Sequence, residues 1–175
     1  EDGLFYMPTL EFKFYNKESG LSADKIFALT KYKNKIICVA SDYSFNDISL
    51  DDFSIHHRKY NHIASFWNIK SFGEIYAICG SPGMLFNSTT SIGMPIYSNI
   101  NGSKQFLRLK DIEDYDNEKL LGCEYGSLYF INKHTGLVEE IVKDLPTIFA
   151  ICKVGNDVFL GTKTGVYKYS NNKVT

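Results

Sequence analysis

Near the C-terminus the chain reads LGTKTGVYKY, Leu160 to Tyr169, and 39 residues earlier it reads LGCEYGSLYF, Leu121 to Phe130. Self-similarity at a fixed period constrains a fold more tightly than composition does, because one supersecondary unit is then built several times over. Sliding further back finds ICGSPGMLF, with Gly80 and Gly83 in the same roles and one residue fewer between the markers. VASDYSFND, Val39 to Asp47, occupies the expected place without the glycines, and EDGLFY at the N-terminus matches KTGVYK through Gly3. The markers thus fall at 3, about 43, 83, 126 and 165, a period near 40.

Each period has one internal grammar. An apolar run (KIFALTKY, ASFWNIKSF, FLRLKDIED, TIFAICKVG) is followed by a polar turn and a second apolar run (IICVAS, IYAICG, KLLGC, VFLGT). A marker glycine then reverses the chain into a more alternating stretch such as SLYFINK, and a last extended stretch (LEFKFYN, FSIHHRKY, MPIYSNI, LVEEIVKDL) closes the unit. Short runs of β-branched and aromatic residues between Gly/Asn/Asp turns read as strands, and no helical period of adequate length competes. Twelve Tyr and 13 Phe reinforce the strand reading.

Four antiparallel strands per 40 residues is the signature of a β-propeller blade. The expected fold is all-β, a β-propeller segment of about four four-stranded antiparallel blades belonging to a larger, seven-bladed ring. The expected repeats are 1–15 (partial), 16–60, 61–101, 102–146 and 147–175 (partial). Runs such as IFAL and VFLG are expected to be sandwiched between blades, with outer strands alternating as FSIHHRKY does. Ala40, Gly80, Gly122 and Gly161 are expected to end the second strands close to a crowded channel. A β-sandwich of similar strand count predicts no such period. Both termini offer a third strand, and the chain opens with Glu1-Asp2-Gly3. A fragment of a larger propeller is therefore expected, with pairing to a second copy as the other way to complete the ring.

Charge excludes some partners. Nineteen basic and 20 acidic side chains leave a net charge of −1, with no global field toward nucleic acid or an anionic membrane. No segment approaches the roughly 20 apolar residues of a helical span. Cys38, Cys79, Cys123 and Cys152 sit in apolar runs without metal-ligand spacing and read as four buried thiols. No cofactor and no metal site is expected.

The segment TIFAICKVGNDVFLGTKTGVYKYSNNKV resembles the bacterial two-component regulator propeller repeat. FYNKESGLSADKIFALTK, Phe14 to Lys31, is similar to that family's junction, where a Gly-Leu-Ser turn hands one blade's outer strand to the next inner strand. The aromatic expected in the second strand is Tyr76 or Phe159 in two repeats and aliphatic (Ile37, Leu120) in the others. The resemblance implies a non-catalytic, ligand-sensing propeller of a two-component signal transduction protein, the periplasmic sensor region of a membrane-anchored hybrid histidine kinase. It implies detection of a glycan or its breakdown product and signalling through a dimer, with any kinase activity in a domain outside this chain. The alternative is a protein-interaction scaffold propeller that binds a peptide or partner protein.

The residues themselves carry no enzyme constellation. GSPG and GTKTG are turns with no helix behind them to cradle a phosphate, and Ser81 forms no nucleophile elbow. His56 and His57 alternate across an outer strand, as do the acid pairs Asp51-Asp52 and Glu139-Glu140, so neither partner of a pair faces the other's side. Propeller ligands meet the face built by the loops from fourth to first strand and from second to third. Here those loops hold Asp42, Tyr43, Arg58, Tyr60, His62, Lys104, Glu124, Tyr125 and Lys163 as the expected ligand-binding set. Tyrosine faces stack on sugars and Arg or Lys clamps a carboxylate, which suits an oligosaccharide or a uronic acid. Trp67 reads as core.

Overall fold

The computed structural model describes residues 14–59, 64–87 and 93–175. The Gly3 marker and the strands expected within 1–13 lie outside these residues. The described chain is all-β, and its sheets are antiparallel meanders, each four-stranded except one. Blade 1 comprises β1 (Ile26–Tyr32), β2 (Lys35–Ala40), β3 (Ser44–Ser49) and β4 (Ile55–Lys59). Blade 2 comprises β5 (Ser65–Phe72), β6 (Ile75–Ser81), β7 (Met84–Asn87) and β8 (Met94–Pro95). A two-stranded hairpin follows, β9 (Tyr97–Ile100) and β10 (Ser103–Phe106). Blade 3 comprises β11 (Asp111–Asp114), β12 (Lys119–Glu124), β13 (Ser127–Asn132) and β14 (Val138–Val142). Blade 4 comprises β15 (Ile148–Val154), β16 (Asp157–Thr162), β17 (Gly165–Ser170) and β18 (Lys173–Val174).

Three apolar clusters lie between consecutive blades. Alternation along each second strand sends one set of side chains to the preceding blade, its leading face, and the other to the next blade, its trailing face. Ile37 and Val39 of blade 1 meet Tyr76, Ile78 and Phe86 of blade 2. Ala77, Cys79 and Leu85 of blade 2 meet Ile112 and Leu120 of blade 3. Leu121, Cys123 and Leu128 of blade 3 meet Val158 and Leu160 of blade 4. The most continuous burial belongs to β2, β6 and β12, whereas the innermost strand β1 alternates. The expectation that runs such as IFAL are sandwiched holds where a blade precedes: Leu29 of β1 is exposed with no described blade before it, whereas its equivalents Ile69, Ile112 and Ile151 are buried between blades.

The register also corrects the reading of the repeated phrase. Leu120 pairs with Ile131 and Glu124 with Ser127, while Val158 pairs with Tyr169 and Thr162 with Gly165, so equivalent positions are 38 residues apart, not 39. A slip of one residue exchanges the two faces of a strand. Gly122 therefore faces the preceding blade, where an added Cβ would lie 2.5 Å from the Ile131 side chain. Gly161 is the equivalent of Cys123 and faces the other way. Tyr76 and Phe159, read as one aromatic position, likewise lie on opposite faces.

Other departures have local causes. MPIYSNI is not one strand: β8 stops at Pro95, which has no N–H to donate, and Tyr97–Ile100 joins β10 instead. Phe106 ends that hairpin rather than opening blade 3. Asp51 and Asp52 lie in the β3–β4 turn, where Asp52 accepts the Ser54 amide at 3.1 Å. Cys38, Cys79 and Cys123 are buried free thiols, but Cys152 is exposed because no described blade covers the trailing face of blade 4.

Candidate ligand-binding groove

The second-to-third strand turns and the fourth-to-first connections emerge at one end of the blades. Seven of the nine expected ligand residues are described there or nearby; Tyr60 and His62 fall outside the described residues. The structure does not gather the seven into one site. Asp42 turns back into its own blade: its carboxylate accepts the Ser44 amide (3.1 Å), the Ser44 hydroxyl (2.9 Å) and the Ser22 hydroxyl (3.2 Å). Burial opposes ionisation of that carboxyl, but the bonds from Ser44 and Ser22 outweigh it and hold its pKa below the ordinary value. Arg58 lies on β4 rather than in a loop, and its guanidinium donates to Asp47 at 2.7 Å and to the Tyr76 hydroxyl at 3.2 Å, joining blade 1 to blade 2. Tyr43, Tyr125 and Lys163 stand exposed on three separate turns, the two tyrosines with φ of 62° and 49°. Lys104 lies on β10, with its ammonium 4.3 Å from the Tyr97 ring centroid.

Glu124 is the exception, because it opens into a groove. The β9–β10 hairpin leans over blade 3 and leaves a cavity of about 410 Å³. Its hairpin wall is Ser98, Asn99, Gln105 and Phe106; its blade wall is Glu124, Tyr129, Val138 and Glu140. Burial pushes the Glu124 carboxyl above the ordinary carboxylate range, a shift opposed by the Arg108 amide and by the charges of Arg108 and Lys110. Burial also raises the Tyr129 phenol, and Glu140 and Glu124 add to that shift. Phe106 stays 55% exposed.

The groove is held by backbone. The Ile96 amide donates to Gly83 O, the Gly83 amide to Leu107 O (both 2.8 Å), and the Leu107 amide to Ile96 O at 3.1 Å, a closed circuit fastening the hairpin to blade 2. On the other side the Tyr97 amide donates to Gly136 O at 3.1 Å. A Cβ at Gly83 would come 2.8 Å from Leu109, so only glycine lets that leucine enter. Trp67, half-buried rather than wholly core, donates its indole N–H to Leu109 O at 2.5 Å and carries the Lys110 ammonium 4.5 Å above its ring.

Phe106, Asn99, Gln105, Tyr129 and Glu140 were not among the sequence candidates. Their signal was the spacing: equivalent second strands start at Lys35, Ile75, Lys119 and Asp157, so the step between blades 2 and 3 is 44 residues against 40 and 38 for the others. The surplus supplies part of the Tyr97–Phe106 hairpin, and the rest comes from blade 2, whose fourth strand β8 is only two residues long. Among the described residues no group of three or more His, Cys, Asp or Glu is arranged to hold a metal ion.

Solved structures of the same shape confirm the fold. The extracellular domain of a putative hybrid two component system from B. thetaiotaomicron superposes with a TM-score of 0.67 at 13% identity, over 93% of this chain and 26% of that one. A second extracellular domain of that kind from the same organism gives 0.66 at 14% identity, over 97% and 23%. The Cps50 (Swd1) beta-propeller domain of Myceliophteria thermophila gives 0.62 at 12% identity, over 85% and 54%. The fold is a β-propeller. This chain spans about a quarter of the sensor domains it matches. No family model matches it, and no curated protein does.

Proposed function

We propose that this chain is a ligand-sensing, non-catalytic stretch of a propeller in the extracytoplasmic part of a two-component signalling protein, and that it takes a sugar or short oligosaccharide in the groove beneath the β9–β10 hairpin. The single observation that carries the reading is this groove at the interruption of the repeat. It pairs the exposed Phe106 ring with amides and carboxylates from Asn99, Gln105, Glu124 and Glu140. A ring face stacks on the apolar face of a pyranose while amides and carboxylates take its hydroxyls. Two carboxylates make the groove a better match for neutral or amine-bearing sugars than for uronic acids. The likeness to sensor extracellular domains supports the extracytoplasmic setting, and signalling through a dimer belongs to the same reading.

Titration calorimetry with neutral, amino-sugar and uronic oligosaccharides tests it. Binding of a neutral or amino sugar that Phe106→Ala abolishes is the expected result; no heat with any glycan overturns it. A peptide partner is the second reading, favoured by the exposed strand Ser103–Phe106, whose outer edge could accept an added strand.

A further inference from the structure

The first-to-second and third-to-fourth strand turns leave the blades at the end opposite Tyr43, Tyr125 and Lys163, and two equivalent clefts open there between blades. One, of about 510 Å³, lies between blades 2 and 3 and is bordered by Phe72, Glu74, Asn117, Lys133 and His134. The other, of about 540 Å³, lies between blades 3 and 4 and is bordered by Tyr115, Asp116, Lys153, Asn156, Asn171 and Asn172. Strand pairing makes the walls comparable. Asp114, opposite Leu120, corresponds to Lys153, opposite Val158. Lys133 and His134, which follow β13, correspond to Asn171 and Asn172, which follow β17.

The charges of the first cleft are neutralised inside the protein. Lys133 holds Asp114 at 2.7 Å and also donates to Asp116 O, His134 Nε2 lies 3.3 Å from Glu118, and Glu74 takes Lys33 at 2.6 Å. In the second cleft the exchanges of Asp114 for Lys153 and of Lys133 for Asn171 remove that pairing. Lys153 donates to Tyr115 O and, among the described residues, meets no carboxylate. The side-chain amides of Asn156 and Asn171 make no hydrogen bond among the described residues. The Asn172 side-chain oxygen accepts the Tyr169 hydroxyl at 3.1 Å, which leaves its N–H donors unused. Asp116 turns one oxygen into its own loop, where it accepts the Glu118 and Lys119 amides at 2.8 and 2.7 Å.

An ammonium with spare donors and no counter-charge favours an anion, and three carboxamides each offer a donor and an acceptor to hydroxyls. The Asp116 charge at the same rim weighs against a ligand with several negative charges. A cleft of this size lies within the range of small-molecule sites. We propose that the cleft between blades 3 and 4 is a second ligand site, which takes a monoanionic sugar acid with its carboxylate on Lys153 and its hydroxyls on the carboxamides of Asn156, Asn171 and Asn172. It takes the class of sugar that Glu124 and Glu140 disfavour in the groove beneath β9–β10, and it stands whether or not that groove binds.

Nuclear magnetic resonance of the nitrogen-labelled 175-residue chain, titrated separately with glucuronate, glucose and acetate, tests it. Glucuronate is expected to shift the side-chain amide signals of Asn156 and Asn171 saturably, and glucose and acetate at equal concentration are not. Asn171→Gly keeps the left-handed turn, since residue 171 has a φ of 51°. Lys153→Gln keeps a donor for Tyr115 O and removes the charge. Each substitution is expected to weaken glucuronate binding at least about tenfold, and Phe106→Ala is expected to leave it unchanged. The proposal is overturned by the absence of a saturable shift with glucuronate, by an equal response to glucose or to acetate, or by full affinity in both cleft variants. Loss of binding in Phe106→Ala with both cleft variants unaffected overturns it too, and assigns the sugar acid to the groove.

Discussion

The carboxylate of Asp111 on blade 3 accepts the backbone amide of Ile151 on blade 4 at 2.9 Å, while its other oxygen lies 2.9 Å from the Lys70 ammonium of blade 2. Asp111 is buried, and Lys70 also reaches Glu113 at 3.4 Å. Burial works against the charge on Lys70, but Asp111 and Glu113 outweigh it and raise its pKa. Removing the Asp111 carboxylate leaves the buried Ile151 amide without its acceptor and the half-buried Lys70 with Glu113 alone. Asp111→Ala is expected to cost about 3 kcal/mol in urea unfolding. Asp111→Asn, which can still accept the amide, should cost less than half of that. Equal losses for the two variants would mean the amide contact carries nothing.

Gly83 and Leu109 make a second testable pair. Gly83→Ala places a methyl 2.8 Å from the Leu109 side chain, an overpacking expected to cost about 1–3 kcal/mol. Leu109→Ala alone opens a cavity and costs about 2–5 kcal/mol. The double variant should be more stable than the sum of the two losses, since the smaller residue 109 makes room for the methyl. Additive losses in denaturant titrations would count against this account of the glycine.

Glu124 sets a pH dependence with a definite sign. Its folded pKa is raised above the unfolded value, so the folded state holds the proton more tightly and stability falls as pH rises through that raised value. Glu124→Gln should remove this slope and melt slightly higher than wild type at pH 7, by up to about 2 °C. Melting curves across the acid-to-neutral range decide it; a wild-type slope retained in the variant would assign the effect elsewhere.

Thiol labelling reads the blade faces directly. Burial pushes the Cys38 thiol up to about 11 and Cys123 to about 12, and Cys79 well above its ordinary value, whereas Cys152 is exposed. In the folded chain one thiol should react with an aromatic disulfide reagent under native conditions, and four after unfolding. More than one fast thiol in the native chain would contradict the packing between blades.

Much of this architecture was legible in the sequence, and the failures have physical reasons. Most of the short strands and their turns showed within the described periods, because a turn demands particular residues and a sandwiched strand demands apolar ones. The faces were not legible. Gly122 and Gly161 look equivalent in LGCEY and LGTKT, but cross-strand pairing sets them one position apart, and a one-residue error on a strand is a half-turn. Arg58 and Asp42 read as ligand groups because Arg and Asp near loops suggest binding. Their partners Asp47, Tyr76, Ser22 and Ser44 are known only once the strands are paired. The groove hid because β9 and β10 carry the same strand-forming composition as the blades they interrupt.

A stack of repeats in which each unit touches only its neighbours behaves as a one-dimensional chain, free to melt from either end. Asp111 breaks that locality by holding three blades with one carboxylate. Blades 2, 3 and 4 are thereby tied into a single cooperative block, and blade 1 is fastened to blade 2 by links of its own: Arg58 on the Tyr76 hydroxyl, the Tyr32 hydroxyl on Glu74 O, the Ser71 hydroxyl on Lys31 O and the Lys33–Glu74 ion pair.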